Sequence, residues 1–191
     1  FVSVTHPLDH AGYYPGSEQL HMKLTVERKT GKLLGAQIIG EQGVDKRIDV
    51  LATALTAGLT VEDLEQLDLA YAPQFNSAKG PVIMAGFVAS NTLKGEVQTI
   101  TSEELQHKLK NNSDLQLLDV RTSSEFAEQH LQQARLIPID NLREHLHELD
   151  PQKETVVYCR VGLRGYLAAR ILLQHGFENV SNLTGGMLSY S

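Results

Sequence analysis

Apolar residues along this chain change their spacing several times, and each change predicts an element. Met22, Leu24 and Val26 alternate with polar neighbours, the period of a half-buried strand. Lys29-Thr30-Gly31-Lys32 supplies a turn and LLGAQIIG a returning strand, so this stretch reads as a hairpin. Val44, Ile48, Leu51, Leu55 and Leu59 then recur every three or four positions, which predicts an amphipathic helix ended by Gly58. Thr60 with Asp63 forms a capping-box signal for a short helix through Leu67. HAGYYPGSEQ and LAYAPQFNSAKGP read as loops. PVIMAGFVASNTL reads as a helix with Pro81 in its first turn, stopped near Gly95.

From about Lys94–Val97 the rhythm is different. Capping boxes at Thr101–Glu104 and Thr122–Glu125 open helices, and LQLLDV, LIPI, ETVVYC and VSNL read as short apolar strands. NLREHLHEL reads as a helix, and GYLAARILLQHG as another closed by Gly176. The pattern predicts two domains. Residues 1–96 have strands first and helices after, an α+β unit. Residues 97–191 alternate strand and helix, an α/β unit with a central parallel sheet covered on both faces. Ala52, Ala54, Ala57, Ala85, Gly86 and Ala89 permit close helix packing in the first unit, within a private core or across a dimer.

Composition narrows the function classes. The 191 residues are 41% hydrophobic, with no apolar run long enough for a membrane span and no signal-peptide order at FVSVTHPLDH. The net charge of -6 argues against nucleic acid and anionic membranes as partners. It is spread evenly, with 8 Lys+Arg against 11 Asp+Glu in residues 1–96 and 9 against 12 in residues 97–191. The missing initiator Met suggests a piece of a longer protein. One cysteine forms no internal disulfide, which fits a reducing, cytoplasmic setting and leaves a thiol for chemistry.

That thiol, Cys159, closes the run VVYC and precedes Arg160-Val161-Gly162-Leu163-Arg164, after which the helical pattern begins. In a parallel sheet this is where ligands bind, beyond a strand's carboxyl end and against a helix N-terminus. Gly162 permits positive φ, so successive amides can curl inward, and Arg160 and Arg164 add positive charge at the rim. Such surroundings favour the thiolate, a nucleophile, over the thiol. For an arbitrary cysteine the usual role is a small buried hydrophobe. Asp119 and Arg121, at the end of LQLLDV, suit structural support better than catalysis, the carboxylate pairing with the loop arginines. His130 suits hydrogen bonding within the fold, and His145 and His147 suit solvent. No His/Cys/Asp cluster has metal-ligand spacing.

Cys159-Arg-Val-Gly-Leu-Arg164 resembles the active-site loop of rhodanese sulfurtransferases. Three further stretches resemble that family in order: Leu118-Asp-Val-Arg121 with Ser124-Glu-Phe126, His130-Leu with Ala134-Arg-Leu-Ile-Pro-Ile139, and Leu183-Thr-Gly-Gly186. Gln129, Gln132 and Gln133 replace the family's small or Pro residues, and Tyr166 stands near where Ser or Ala is usual. The resemblance implies a Cys159 persulfide, its terminal sulfur cradled by the amides of Arg160, Val161, Gly162, Leu163 and Arg164. Cysteine phosphatases and arsenate reductases are the runner-up. Phosphatases space nucleophile and arginine by five residues, whereas four intervene between Cys159 and Arg164.

Residues 1–95 resemble the C-terminal dimerisation domain of flavin-dependent pyridine nucleotide–disulfide oxidoreductases. HAGYYPG, KLLGAQIIGEQGVDKRIDVLATAL and LTVEDLEQLDLAYAPQFNSAKGPV carry the likeness, which departs from the family pattern at Gln74 and Gly80. The closest subgroup is the coenzyme A-disulfide reductases fused to a rhodanese domain. The resemblance implies a homodimer through residues 1–96, in which Tyr13 (or Tyr14) and Tyr71 reach the partner subunit's active site as general acids. It also implies FAD, NAD(P)H and coenzyme A for the full-length protein, with small sulfur compounds such as coenzyme A disulfide or persulfide, polysulfide or thiosulfate as substrates. No Gly-x-Gly-x-x-Gly occurs, so this piece alone binds neither dinucleotide. The competing class is non-enzymatic: a dimer scaffold joined to a sulfur-binding module without turnover.

Overall fold

The computed structural model describes residues 1–111 and 114–190. It divides into two compact units, Phe1–Gly95 and Glu96–Ser191. In the first, β1 (Val2–Thr5), β2 (His21–Val26) and β3 (Leu33–Ile39) form an antiparallel sheet in that order, followed by helices α1 (Val44–Ala57), α2 (Val61–Glu65) and α3 (Pro81–Leu93). Met22, Leu24 and Val26 all point to one buried face, where Leu51 and Ala54 of α1, Val61 and Leu64 of α2 and Val82, Ala85 and Ala89 of α3 meet them. Gly58 ends α1 in the left-handed conformation, and Thr60 and Asp63 cap α2 reciprocally. Gly86 is needed for the α2–α3 contact: a Cβ there falls 2.9 Å from the Leu64 Cβ.

The first strand was not among the expected elements, for a readable reason. Its buried positions are Ser3 and Thr5, whereas Val2 is exposed and Val4 half-buried, which inverts the usual apolar-in signal.

In the second unit, β4 (Gln98–Ile100), β5 (Gln116–Asp119), β6 (Arg135–Leu136), β7 (Thr155–Tyr158) and β8 (Val180–Leu183) form a parallel sheet in the order β4-β8-β7-β5-β6. Helices α4 (Ser102–Lys110), α5 (Ser123–Glu128) and α6 (Leu163–Gln174) make the connections with short 3-10 turns. One core packs α6 against Leu118, Val120 and Val157; the other packs Leu105 of α4 against Leu117, Val156 and Tyr158. The expected capping boxes at Thr101 and Thr122 are both formed.

Two elements differ from the expectation. Strand β4 carries a single buried residue, Ile100, too little pattern to announce an edge strand. The predicted helix NLREHLHEL is instead a pair of 3-10 turns, Ile139–Asn141 and Leu146–Glu148. Leu142 and Leu149 still reach the core. Arg135 takes the Glu148 carbonyl at 3.1 Å and Gln116 the Asp150 carbonyl at 2.8 Å, so the segment is tied across the sheet rather than wound on itself. Among the described residues no helix is long and apolar enough to cross a membrane.

Candidate active site

Cys159 follows directly on β7, the strand between β8 and β5, where the chain turns into α6. Gly162 caps that helix at φ 104°, a conformation that disfavours any side chain. The turn brings the Gly162 N–H onto Cys159 Sγ at 3.2 Å. Behind it the carbonyls are held. Met187 N–H donates to the Cys159 carbonyl at 2.9 Å and Leu188 N–H to the Arg160 carbonyl at 3.1 Å. The Gly162 carbonyl accepts from Asn182 Nδ2 at 3.0 Å and from Tyr166 N–H at 2.8 Å.

A trans peptide sets its N–H and C=O antiparallel. The N–H groups of Arg160, Val161 and Leu163 therefore turn away from these anchors. Two glycines make the clamp possible. A Cβ on Gly186 falls 2.4 Å from the Cys159 carbonyl oxygen, and one on Gly165 falls 2.1 Å from Asn182 Oδ1. Cys159 itself is fully covered, at 0% exposure, while Arg160 and Leu163 are exposed and Val161 and Gly162 half-buried.

The charges around the loop are arranged differently from the expectation. Asp119 does not pair with the loop arginines. It holds Arg121, two residues on, through Oδ1 and Oδ2 to Nε at 2.9 and 3.0 Å and Oδ2 to Nη2 at 2.6 Å. Arg121 also donates to the Gln129 carbonyl at 2.6 Å and lies over the Tyr158 ring. The shorter reach within one turn wins over the longer reach across to α6.

Arg164 pairs instead with Glu125, whose two oxygens accept from Nη1 and Nη2 at 2.7 and 2.6 Å. This pairing, reinforced by Thr122 N–H and hydroxyl, holds the Glu125 carboxyl down at about 2. The same pair, with Cys159 nearby, holds Arg164 more firmly protonated than usual. Arg164 is thus neutralised, and rim charge rests on Arg160. Sequence reasoning noticed Glu125 as a cap residue and missed its second role, which only the proximity of α5 and α6 reveals. His130 is exposed, stacks on Phe126 and bonds its carbonyl at 2.8 Å; His145 is exposed beside Glu148. Among the described residues no cluster fits a metal ion.

In the first unit the structure brings Tyr13 and Tyr71 together, hydroxyl to hydroxyl at 3.0 Å, though 58 residues separate them. Both are exposed, at 76% and 50%. Tyr13 stands at the tip of the Ala11–Tyr14 turn, closed by Tyr14 N–H to the Ala11 carbonyl at 2.8 Å. The neighbours of Tyr71 are fixed in turn: Ala70 by Asn76 Nδ2 at 2.9 Å, Ala72 by the Phe75 and Asn76 N–H groups, both at 2.9 Å. Either hydroxyl can be the donor in this bond, and the bond to Tyr71 raises the pKa of Tyr13. Tyr14 stays outside the pair, edge-on to His10.

Comparison with known families follows the same division. The model of the pyridine nucleotide-disulphide oxidoreductase dimerisation domain matches residues 2–81, and that of the Rhodanese-like domain matches residues 101–191. The chain is an oxidoreductase dimerisation domain followed by a rhodanese-like domain. Over its whole length it is 42% identical to reduced Bacillus anthracis CoADR-RHD, with a TM-score of 0.95, covering 34% of that chain. A NAD-dependent persulfide reductase from A. fulgidus is 41% identical over the same span, with a TM-score of 0.89 and again 34% of that chain covered. The coenzyme A disulfide reductase of Staphylococcus epidermidis is 44% identical over 80 residues, 42% of this chain and 18% of that protein. The chain therefore spans about a third or less of these relatives.

Cys159 and its loop lie within the rhodanese-like match, and Tyr13 and Tyr71 lie within the dimerisation-domain match. The turns leading from β5 and β7 into helices are filled by the Asp119–Arg121 pair and by the Gly186 clamp, and neither reads Gly-x-Gly-x-x-Gly.

Proposed function

We propose that this chain is the C-terminal part of a flavin-dependent, NAD(P)H-linked reductase of coenzyme A disulfide, persulfide or polysulfide, in which Cys159 carries sulfane sulfur. The observation that carries the reading is the Gly162 N–H aimed at Cys159 Sγ from a turn whose Cys159, Arg160 and Gly162 carbonyls are tied behind it. Amides so held suit a sulfur anion. In the transfer, the Cys159 thiolate attacks the outer sulfur of a persulfide donor. The new Sγ–S bond forms as the donor's S–S bond breaks, and the bonding pair leaves with the donor thiolate. A nucleophilic acceptor then removes the outer sulfur and restores Cys159. Arg160, Val161, Gly162, Leu163 and Arg164 bind the sulfur; Asp119 and Arg121 support the neighbouring strand end.

The dimerisation domain pairs residues 1–96 with a second copy and offers Tyr71, backed by Tyr13, to protonate a departing thiolate. FAD and NAD(P)H are held by residues outside this chain. The four-residue interval between Cys159 and Arg164 disfavours the phosphatase alternative.

The test is sulfur transfer from thiosulfate or coenzyme A persulfide by wild type and Cys159→Ala. Transfer should drop at least 100-fold in the variant, about the size of effect expected for a lost nucleophile. Equal rates would mean a sulfur-binding module without turnover.

A further inference from the structure

The tyrosine pair is formed by two loops that share almost no local structure, so something has to hold them in register. Between them lies Arg47, from the first turns of α1. The residue is buried, at 4% exposure. Nη2 donates to the Asp9 carbonyl, in the loop that carries Tyr13, and at 3.0 Å to the Phe75 carbonyl, in the loop that carries Tyr71. Nη1 donates to the Gly43 carbonyl at 2.9 Å. One direct strut runs beside it, Ala11 N–H to the Pro73 carbonyl at 3.1 Å. Lys46 also reaches the Phe75 carbonyl, and Arg47 bonds both loops.

Two further features are built around this guanidinium. Asp9 is fixed by Glu18 N–H at 2.7 Å and by His10 Nδ1 at 2.9 Å, so the carbonyl that Arg47 takes belongs to a held residue. Gly43 has φ 64°, and a Cβ there would lie 1.9 Å from Arg47 Nη1. The glycine therefore serves both the backbone and the side chain's path.

We infer that Arg47 is a positioning residue for disulfide reduction, its buried guanidinium clamping the Asp9 and Phe75 loops so that Tyr13 and Tyr71 meet hydroxyl to hydroxyl. The inference rests on the tyrosines acting in the proposed reduction. A planar fork serves two loops at once, whereas a lysine offers one point charge. With both loops solvent-exposed at their tips, losing the clamp misplaces the phenols by a distance that costs catalysis far more than folding.

The experiment uses the full-length enzyme with Arg47→Met, Tyr71→Phe and the combination. Flavin content and dimer mass serve as controls. Arg47→Met should lower kcat for disulfide reduction between about 10- and 100-fold, with KM little changed. The combined variant should be no slower than the slower single one. In 13C-tyrosine-labelled enzyme, the proton release of Tyr13 should come down to its position in Tyr71→Phe, because the phenol pair has parted. A wild-type kcat for Arg47→Met beside a slow Tyr71→Phe would overturn the inference, as would fully multiplicative losses or an unmoved Tyr13 resonance. If Tyr71→Phe itself reduces at the wild-type rate, the inference falls with the general-acid reading, and the Tyr13 resonance then says whether the clamp exists. Should Arg47→Met not fold, Gly43→Ala displaces the guanidinium while keeping its charge, and the same outcomes apply.

Discussion

Glu125 does two jobs at once, and this gives it a measurable pH signature. Its carboxylate closes the capping box on Thr122 and takes both arms of Arg164. The folded protein holds its carboxyl at about 2, below the ordinary value of 4.5. A carboxyl depressed in the folded state contributes stability above its unfolded pKa and loses it as pH falls toward the folded one. Wild type should therefore exceed Glu125→Gln in stability near neutral pH by about 1 kcal/mol, the scale of a partly exposed pair with a cap. The two should converge between pH 4.5 and about 2. Urea unfolding at stepped pH measures this, and a gap that stays constant down to pH 2 would remove the pair from the account. The position of Cys159 was legible because a thiol at a strand end, a glycine and a helix start are all local facts. Which carboxylate meets which arginine was not. Asp119 and Glu125 are close to each other in sequence and both far from the loop, and side-chain reach across two elements decides between them. Arg47 left one trace, a charge on the otherwise apolar stripe of Val44, Leu51 and Leu55, which the periodicity alone passes over.

At the scale of elements, the nucleophile loop is shaped less by its own six residues than by the segment after β8. Gly186, at φ 59°, lets the Met187 and Leu188 amides reach the Cys159 and Arg160 carbonyls. Gly186→Ala places a methyl group 2.4 Å from the first carbonyl oxygen and 2.7 Å from the second. The backbone has to shift. We expect a loss of about 1–3 kcal/mol of stability, the usual cost of a strained backbone position. Sulfur transfer should fall at least tenfold, although Cys159 is untouched. Thiosulfate kinetics beside thermal unfolding check both, and an unchanged rate would release the loop from its clamp. The capping boxes, the Gly58 stop and the buried strands were legible because each is written within a few residues. Strand β1 hid behind buried Ser3 and Thr5, and the 141–149 segment forms 3-10 turns that still bury Leu142 and Leu149. Those are tertiary decisions that no local pattern records.

Over the whole molecule, two rhythms of apolar spacing announced two kinds of unit, since each unit folds on its own periodicity. What the pattern leaves open is why one unit wears its apolar residues outside. Among the described residues, eleven large apolar side chains are left exposed and eight of them belong to the first unit, among them Leu34, Ile39, Tyr13, Tyr71 and Phe75. Scattered exposure needs no cause, but this concentration suits a surface that a second copy covers. The dimerisation-domain match points the same way. Ile39 is the sharpest probe, since it is 73% exposed at the end of β3, opposite His21. Burying such a side chain is worth about 1.5–3 kcal/mol, roughly a 10- to 150-fold change in a dissociation constant. At micromolar concentration the chain should sediment at twice its own mass, and Ile39→Glu should shift that equilibrium by at least about tenfold toward monomer. A monomeric wild type would end the dimer reading. A dimer indifferent to Ile39→Glu would move the interface to another face of residues 1–96.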